Sequence, residues 1–167
     1  MKIFFKRLFQ LLLVVFIIIQ FFRPEKNIAK GPEAFAKDIT TIHNVPAGVE
    51  EILKKACNDC HSNNTLYPWY NNIQPVAWWL ANHIKDGKKD LNFSEFASYS
   101  LRKQYARLDQ INGLVKNGGM PLSSYTIIHR SAKLNDGEKL AIADWTKILR
   151  DSMASVYPAD SLNKKPR

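Results

Sequence analysis

Both cysteines of this 167-residue chain fall in one pentapeptide, Cys57-Asn58-Asp59-Cys60-His61. The pattern is C-x-x-C-H, the sequence to which a c-type haem is covalently attached. Two thiols three residues apart on a helical turn reach the two vinyl groups of one macrocycle. The histidine that follows then points its imidazole along the macrocycle normal, as the proximal iron ligand. Other readings of the two thiols need partners that the sequence supplies poorly. A zinc site needs a fourth ligand from His43, His83 or His129, with no second C-x-x-C or H-x-x-x-H to provide it. A thioredoxin-like site needs a βαβ frame. A plain disulfide stays open, whereas a disulfide-rich scaffold and a four-cysteine metal site are excluded by the count.

A second axial ligand is sought among three methionines and the remaining histidines. Met1 is the initiator, and Met153 lies in or beyond the last helical turn. Met120 follows Gly118-Gly119 and precedes Pro121. Glycines allow a close backbone approach, and proline stiffens the loop that aims the thioether. Met120 is therefore the expected distal ligand, with His83, His129 or an open position as alternatives. His83 shares a helical face with Trp79 and fits a packed histidine; His129 fits a packed connector, and its neighbour Arg130 gives only a weak acid/base pair. His43 is expected in solvent. The ring N–H of His61 needs a carbonyl acceptor, and the Pro75 carbonyl is the candidate. Tyr67, Trp69 and Tyr70 are expected to wrap the haem edge and bind its propionates.

The N-terminus reads as an export segment. Lys2, Lys6 and Arg7 precede residues 8–22, where the only polar residues are Gln10 and Gln20. Those 15 residues make a helix of about 22 Å. Counting from Ile3 gives 20 residues and about 30 Å, the thickness of a hydrocarbon core, if the basic side chains snorkel. The run ends Gln20-Phe21-Phe22-Arg23-Pro24, without the small residues of a cleavage site, so a signal anchor is favoured over a cleaved signal peptide. Residues 23–45, polar and broken by Pro and Gly, read as a tether.

Beyond residue 46 the periodicity is helical. Val49, Ile52, Leu53 and Ala56 fall at i, i+3, i+4 and i+7. Pro75 and Gly87 bracket a second helix. Leu101, Tyr105, Leu108, Ile111 and Val115 mark a third, stopped by Gly118-Gly119. Asn135 and Glu138 form a capping-box pattern ahead of Leu140, Ala141, Trp145, Ile148 and Leu149. Ser94 is a candidate cap for a short turn. No sustained alternation or hairpin signal occurs, so the class is all-α, with a haem domain over 46–150 and a polar tail over 151–167.

The C-x-x-C-H motif, Ser62-Asn63-Asn64-Thr65, Pro68-Trp69-Tyr70, Pro75, Trp78-Trp79, His83-Ile84, Leu91-Asn92-Phe93-Ser94, Met120-Pro121, Tyr125, His129 and Leu134 together resemble the haem-binding domain family of cytochrome-c-like exported bacterial proteins. The resemblance spans roughly 46–150. It implies one haem c on Cys57 and Cys60, axial ligation by His61, and Met120 at the usual distal position. The leading expectation is a monohaem cytochrome that transfers single electrons on the periplasmic side of a bacterial inner membrane. Its partners would be redox proteins and the c-type haem maturation machinery. A haem sensor or peroxide-binding protein, and a non-haem thiol-redox or structural module, are the alternatives.

The formal charge of +9 suggests nucleic acid at first sight. Four of the basic residues flank the N-terminal apolar run, and Lys164, Lys165 and Arg167 crowd the C-terminus. What remains is a modestly basic surface suited to docking an acidic protein, and no nucleic-acid partner is expected.

Overall fold

The computed structural model describes residues 1–163. Lys164, Lys165 and Arg167 lie outside the described residues. Eight α-helices and five short 3-10 turns form among them, with no strand, as the helical periodicity requires. The helices are α1 (Lys2–Ile19), α2 (Ala47–Ala56), α3 (Asn58–His61), α4 (Val76–Asp90), α5 (Leu101–Lys116), α6 (Ser123–Ile128), α7 (Asp136–Val156) and α8 (Ala159–Leu162).

Helix α2 buries Val49, Ile52, Leu53 and Ala56, the stripe its sequence period dictates. Helix α5 begins at the Ser100 cap, whose side chain accepts from Lys103 N–H, and buries Leu108, Ile111 and Val115. It ends before Gly118, whose φ of 75° is a left-handed conformation that glycine adopts without a Cβ clash. Helix α7 opens on the expected capping box. The Asn135 side chain accepts from Glu138 N–H, and the Glu138 carboxylate accepts from Asn135 N–H.

The α5 and α7 helices pack along each other and carry much of the core. Leu108 of α5 and Ile142 of α7 are core residues with no exposed surface. The Asn112 amide donates to the Ala143 carbonyl at 2.6 Å and to Thr146 Oγ1 at 3.0 Å, tying the two helices with a satisfied polar pair. The buried stripe of α7 is Ile142, Trp145, Thr146, Leu149 and Met153. Leu140 and Ile148, expected on that face, are exposed.

Two sequence readings of the domain's edges change. The polar tail does not begin at 151: α7 runs on to Val156 with Met153 buried, and α8 returns Leu162 to the core against α5. Residues 23–45 are not a free tether. Asn27 bonds Tyr67, Ser62 and Thr65, its carbonyl accepts from Thr65 N–H at 2.9 Å, and Lys37 and Asn44 carbonyls accept from Ala97 N–H and Trp145 Nε1–H. Ile39 is a core residue, and His43, expected in solvent, sits edge-on to Phe96 with its pKa lowered by burial. This segment is a strap laid over the domain.

Helix α1 stops at Ile19, earlier than the apolar run, and buries no residue. It is about 27 Å long and includes Lys2, Lys6 and Arg7. Among the described residues no helix is long and apolar enough to cross a membrane. Its C-terminal end is pinned to the domain: Gln74 N–H donates to Gln20 Oε1 at 2.9 Å, and Trp78 Nε1–H donates to the Phe22 carbonyl at 2.7 Å.

Candidate functional site

Cys57 ends α2 and caps α3, leaving the helical conformation with φ −125°. Its carbonyl accepts from both Cys60 N–H (3.1 Å) and His61 N–H (3.0 Å), closing the turn that sets the two thiols and the imidazole side by side. Further bonds brace that turn. Ser62 Oγ donates to the Asn58 carbonyl, Thr65 Oγ1 donates to the Asp59 carbonyl, and Leu66 N–H donates to Asp59 Oδ1.

Helix α4 forms the wall behind the motif. His61 Nδ1 lies 3.0 Å from the Gly87 carbonyl oxygen and 2.9 Å from that of Leu91. Two carbonyl acceptors require the hydrogen to sit on Nδ1, which leaves Nε2 with the lone pair a metal takes. The acceptor expected at Pro75 is thus corrected. The Pro75 carbonyl is taken by Trp79 N–H within α4, and Pro75 caps that helix. The role passes to the C-terminal end of α4, where the Gly87 carbonyl accepts from Leu91 N–H at 2.9 Å as well as from the imidazole, Leu91 being the residue that follows the helix, and where the helix dipole is negative.

Gly87 explains why the turn sits so close. It was expected to end the helix, yet α4 continues through it to Asp90. A Cβ there would lie 2.8 Å from the Cys60 carbonyl oxygen and 3.2 Å from Cys60 Cβ. Glycine is needed for the approach of α4 to α3, not for a cap.

A cavity of about 560 Å³ opens in front of the motif, lined by Cys57, Cys60, His61, Met120, Pro121 and Tyr125. Its floor is apolar, from Leu91, Phe93, Ile111 and Val115, and Arg107, Gln110, Asp86 and Asp90 border it. The size and the mix of apolar wall with few polar groups suit a bound small molecule. Met120 enters from the loop after α5, where its N–H donates to the Leu114 carbonyl at 3.1 Å.

Burial pushes the Cys57 thiol up to about 12, with Cys60 nearby adding to the shift. Burial and the Asp59 carboxylate push Cys60 up to about 11. A thiol-redox site needs lowered values, so this environment disfavours that reading. No group of side chains typical of a carboxylate, histidine and cysteine metal cluster forms among the described residues.

The other expected site residues separate. Trp69 is 76% exposed, and Tyr70 hydroxyl hydrogen-bonds His129 Nε2 rather than the cavity. Tyr67 hydroxyl accepts from Asn27 N–H on another face. Neither Trp69 nor Tyr70 lines the cavity, which corrects their role in wrapping a ligand edge. His129 stacks on Tyr125 at 4.3 Å and stays outside the cavity, while His83 does line it, its ring tilted 43° against Trp79. Two residues had no role assigned from the sequence, although Tyr125 is among those that carry the family resemblance. Tyr125 hydroxyl donates to Asp59 Oδ2 at 2.7 Å, and burial followed by this bond raises its pKa strongly. Arg107 is an arginine on the cavity wall. Its place on the α5 face next to Leu108 and Ile111 was the available signal.

The Haem-binding domain family model matches residues 14–148. This chain belongs to that family. Haem is therefore the group to test against the cavity, and the donor set fits: two thiols, an imidazole with a fixed tautomer and a thioether share one apolar-floored space. The haem-binding domain thus includes α2 to most of α7 together with the strap. Comparisons with curated proteins and with solved structures give no match.

Proposed function

We propose that this haem-binding protein is a monohaem c-type cytochrome that carries single electrons. Cys57 and Cys60 would hold the macrocycle through thioethers, with His61 and Met120 as axial ligands. The observation that carries the reading is that all four side chains line the same cavity. Bound haem supplies reversible one-electron chemistry at iron, and His/Met ligation raises its potential while filling both axial positions.

The chain's own residues do the rest. The Gly87 and Leu91 carbonyls hold the His61 N–H and fix the ring and its tautomer. Leu91, Phe93, Ile111 and Val115 keep water from the floor and lower the local dielectric. Arg107 offers a guanidinium for the anionic substituents of the ligand. The protein supplies burial and orientation, and no acid/base pair is needed.

Membrane attachment through α1 on the periplasmic side belongs to the same reading. Ile3, Phe4, Phe9, Leu11 and the residues up to Ile18 expose apolar surface that no part of the domain covers. So large an apolar patch calls for a cover, and lipid fits one flanked by Lys2, Lys6 and Arg7. The maturation machinery that attaches haem to C-x-x-C-H motifs and redox proteins that meet the exposed face would be its partners.

The test is a redox titration of the purified full chain with carbon monoxide challenge. One reversible one-electron transition and no binding of carbon monoxide to the reduced protein support a carrier with both axial positions filled. Ready binding at unchanged protein fold would instead make it a ligand-binding haem protein.

A further inference from the structure

Helix α4 separates two concave sites. His83, Asp86, Gly87 and Asp90 face the cavity described above. Ala81, Ile84, Lys85 and Lys88 face a second cavity of about 500 Å³, closed on its other side by residues 25–30 of the strap. This second groove is cationic. Lys26, Lys30, Lys85 and Lys88 line it against a single acidic side chain, Glu25. None of the four ammonium groups makes an ion pair among the described residues. Lys88 donates to Asn27 Oδ1 at 2.6 Å, and burial lowers its pKa although Glu95 opposes the shift. Four unpaired cations around one concavity repel one another, and an anion in the groove relieves that repulsion.

The placement names the anion. Residues 20–25 join the pinned end of α1 to the first lining residue, and five residues reach at most about 18 Å. The groove therefore lies beside whatever surface receives α1. We propose that the groove between the strap and α4 is a site for the phosphate-bearing headgroup of an anionic lipid. The inference rests on the membrane attachment of α1 and deepens it by giving the domain a fixed seating on the bilayer. Lysine is suited to this as a compact point charge beside phosphate.

The experiment uses the full haem-loaded chain in flotation with phosphatidylcholine vesicles and with vesicles of phosphatidylcholine and phosphatidylglycerol. Apolar partition by α1 is common to both vesicles, and the charge of Lys2, Lys6 and Arg7 is common to wild type and variants, so the change in the ratio on substitution isolates the groove. The wild type favours the anionic vesicles. Lys85→Gln with Lys88→Gln cuts that ratio about 25-fold, about fivefold per lysine, with an unchanged haem spectrum. Lys54→Gln with Lys147→Gln, neither of which lines the groove, leaves the ratio as it was. Amine labelling read by mass spectrometry shows Lys85 and Lys88 protected by anionic vesicles alone. Equal partition of the wild type into both vesicles, or a ratio unmoved by the Lys85 and Lys88 changes, overturns the headgroup site while α1 attachment stands. A chain that floats with neither vesicle overturns both. Inorganic phosphate that protects the two lysines as well as vesicles do makes this a free-phosphate site and overturns the lipid assignment.

Discussion

A Cβ on Gly87 would meet the Cys60 carbonyl oxygen at 2.8 Å, so the backbone of α4 rests directly on the turn that carries both cysteines. The same glycine carbonyl lies 3.0 Å from His61 Nδ1. Helix packing and imidazole orientation are therefore one arrangement. Gly87→Ala forces α4 away from α3 at a cost of about 1–3 kcal/mol and stretches the bond to His61. The expected result is a lower thermal midpoint and an altered His61 ring signal in the NMR spectrum of the haem-loaded protein. A midpoint and a ring signal both equal to wild type would show that the approach is slack.

Met120→Ala removes the thioether from the cavity wall and leaves the cysteines and His61 in place. Covalent haem should survive, the far-red ferric band of methionine ligation should vanish, and the potential should fall. An unchanged ferric spectrum would pass the distal role to His83, the other histidine that lines the cavity.

Tyr125→Phe deletes the hydroxyl that donates to Asp59 Oδ2 at 2.7 Å. Asp59 keeps its bond from Leu66 N–H, but one carboxylate oxygen loses its donor, a loss of about 1–3 kcal/mol. Chemical denaturation of the haem-loaded variant should show that loss, with haem attachment retained. A variant as stable as wild type would mean that water replaces the hydroxyl.

The helical frame was legible because its code is local. The α2 stripe, the Asn135 and Glu138 capping box and the glycine stop after α5 each depend on residues within one or two turns. The cysteine motif pointed to haem for the same reason, and the family match bears out that cofactor. Pairings across the fold were not legible. Nothing near His61 marks Gly87 and Leu91 as its acceptors, since 26 and 30 residues intervene. Gly87 looked like a helix end because a glycine chosen for close approach and one chosen for a cap are identical in sequence. Trp69 looked like a haem-edge residue, and only the three-dimensional path of its loop places it in solvent. The strap looked like a linker because its bonds go to Ser62, Thr65 and Tyr67, some 35 to 40 residues on.

Glu138 links the α7 cap to α2. Its hydrogen bond from the Lys55 ammonium, then that from Asn135 N–H, hold its carboxyl below the ordinary value of 4.5. A depressed carboxyl stabilises the fold above the unfolded value, and the stabilisation fades as pH falls through the lower folded value. Glu138→Gln should therefore cost about 0.5–1 kcal/mol at neutral pH. The gap to wild type should narrow as pH drops below about 4.5. Paired denaturation curves at several pH values read this directly, and a gap constant with pH would place the cost in the cap geometry alone.

The proposed covalent attachment of haem to Cys57 and Cys60 is tested most directly by the intact mass of the denatured full chain, made in cells with c-type maturation, together with a haem-stained denaturing gel and a pyridine haemochrome spectrum. One haem added to the mass of each chain, surviving denaturation and lost in Cys57→Ser with Cys60→Ser, is the predicted result. Haem that leaves the wild-type chain on denaturation, or that stays covalently bound in the double variant, would contradict it.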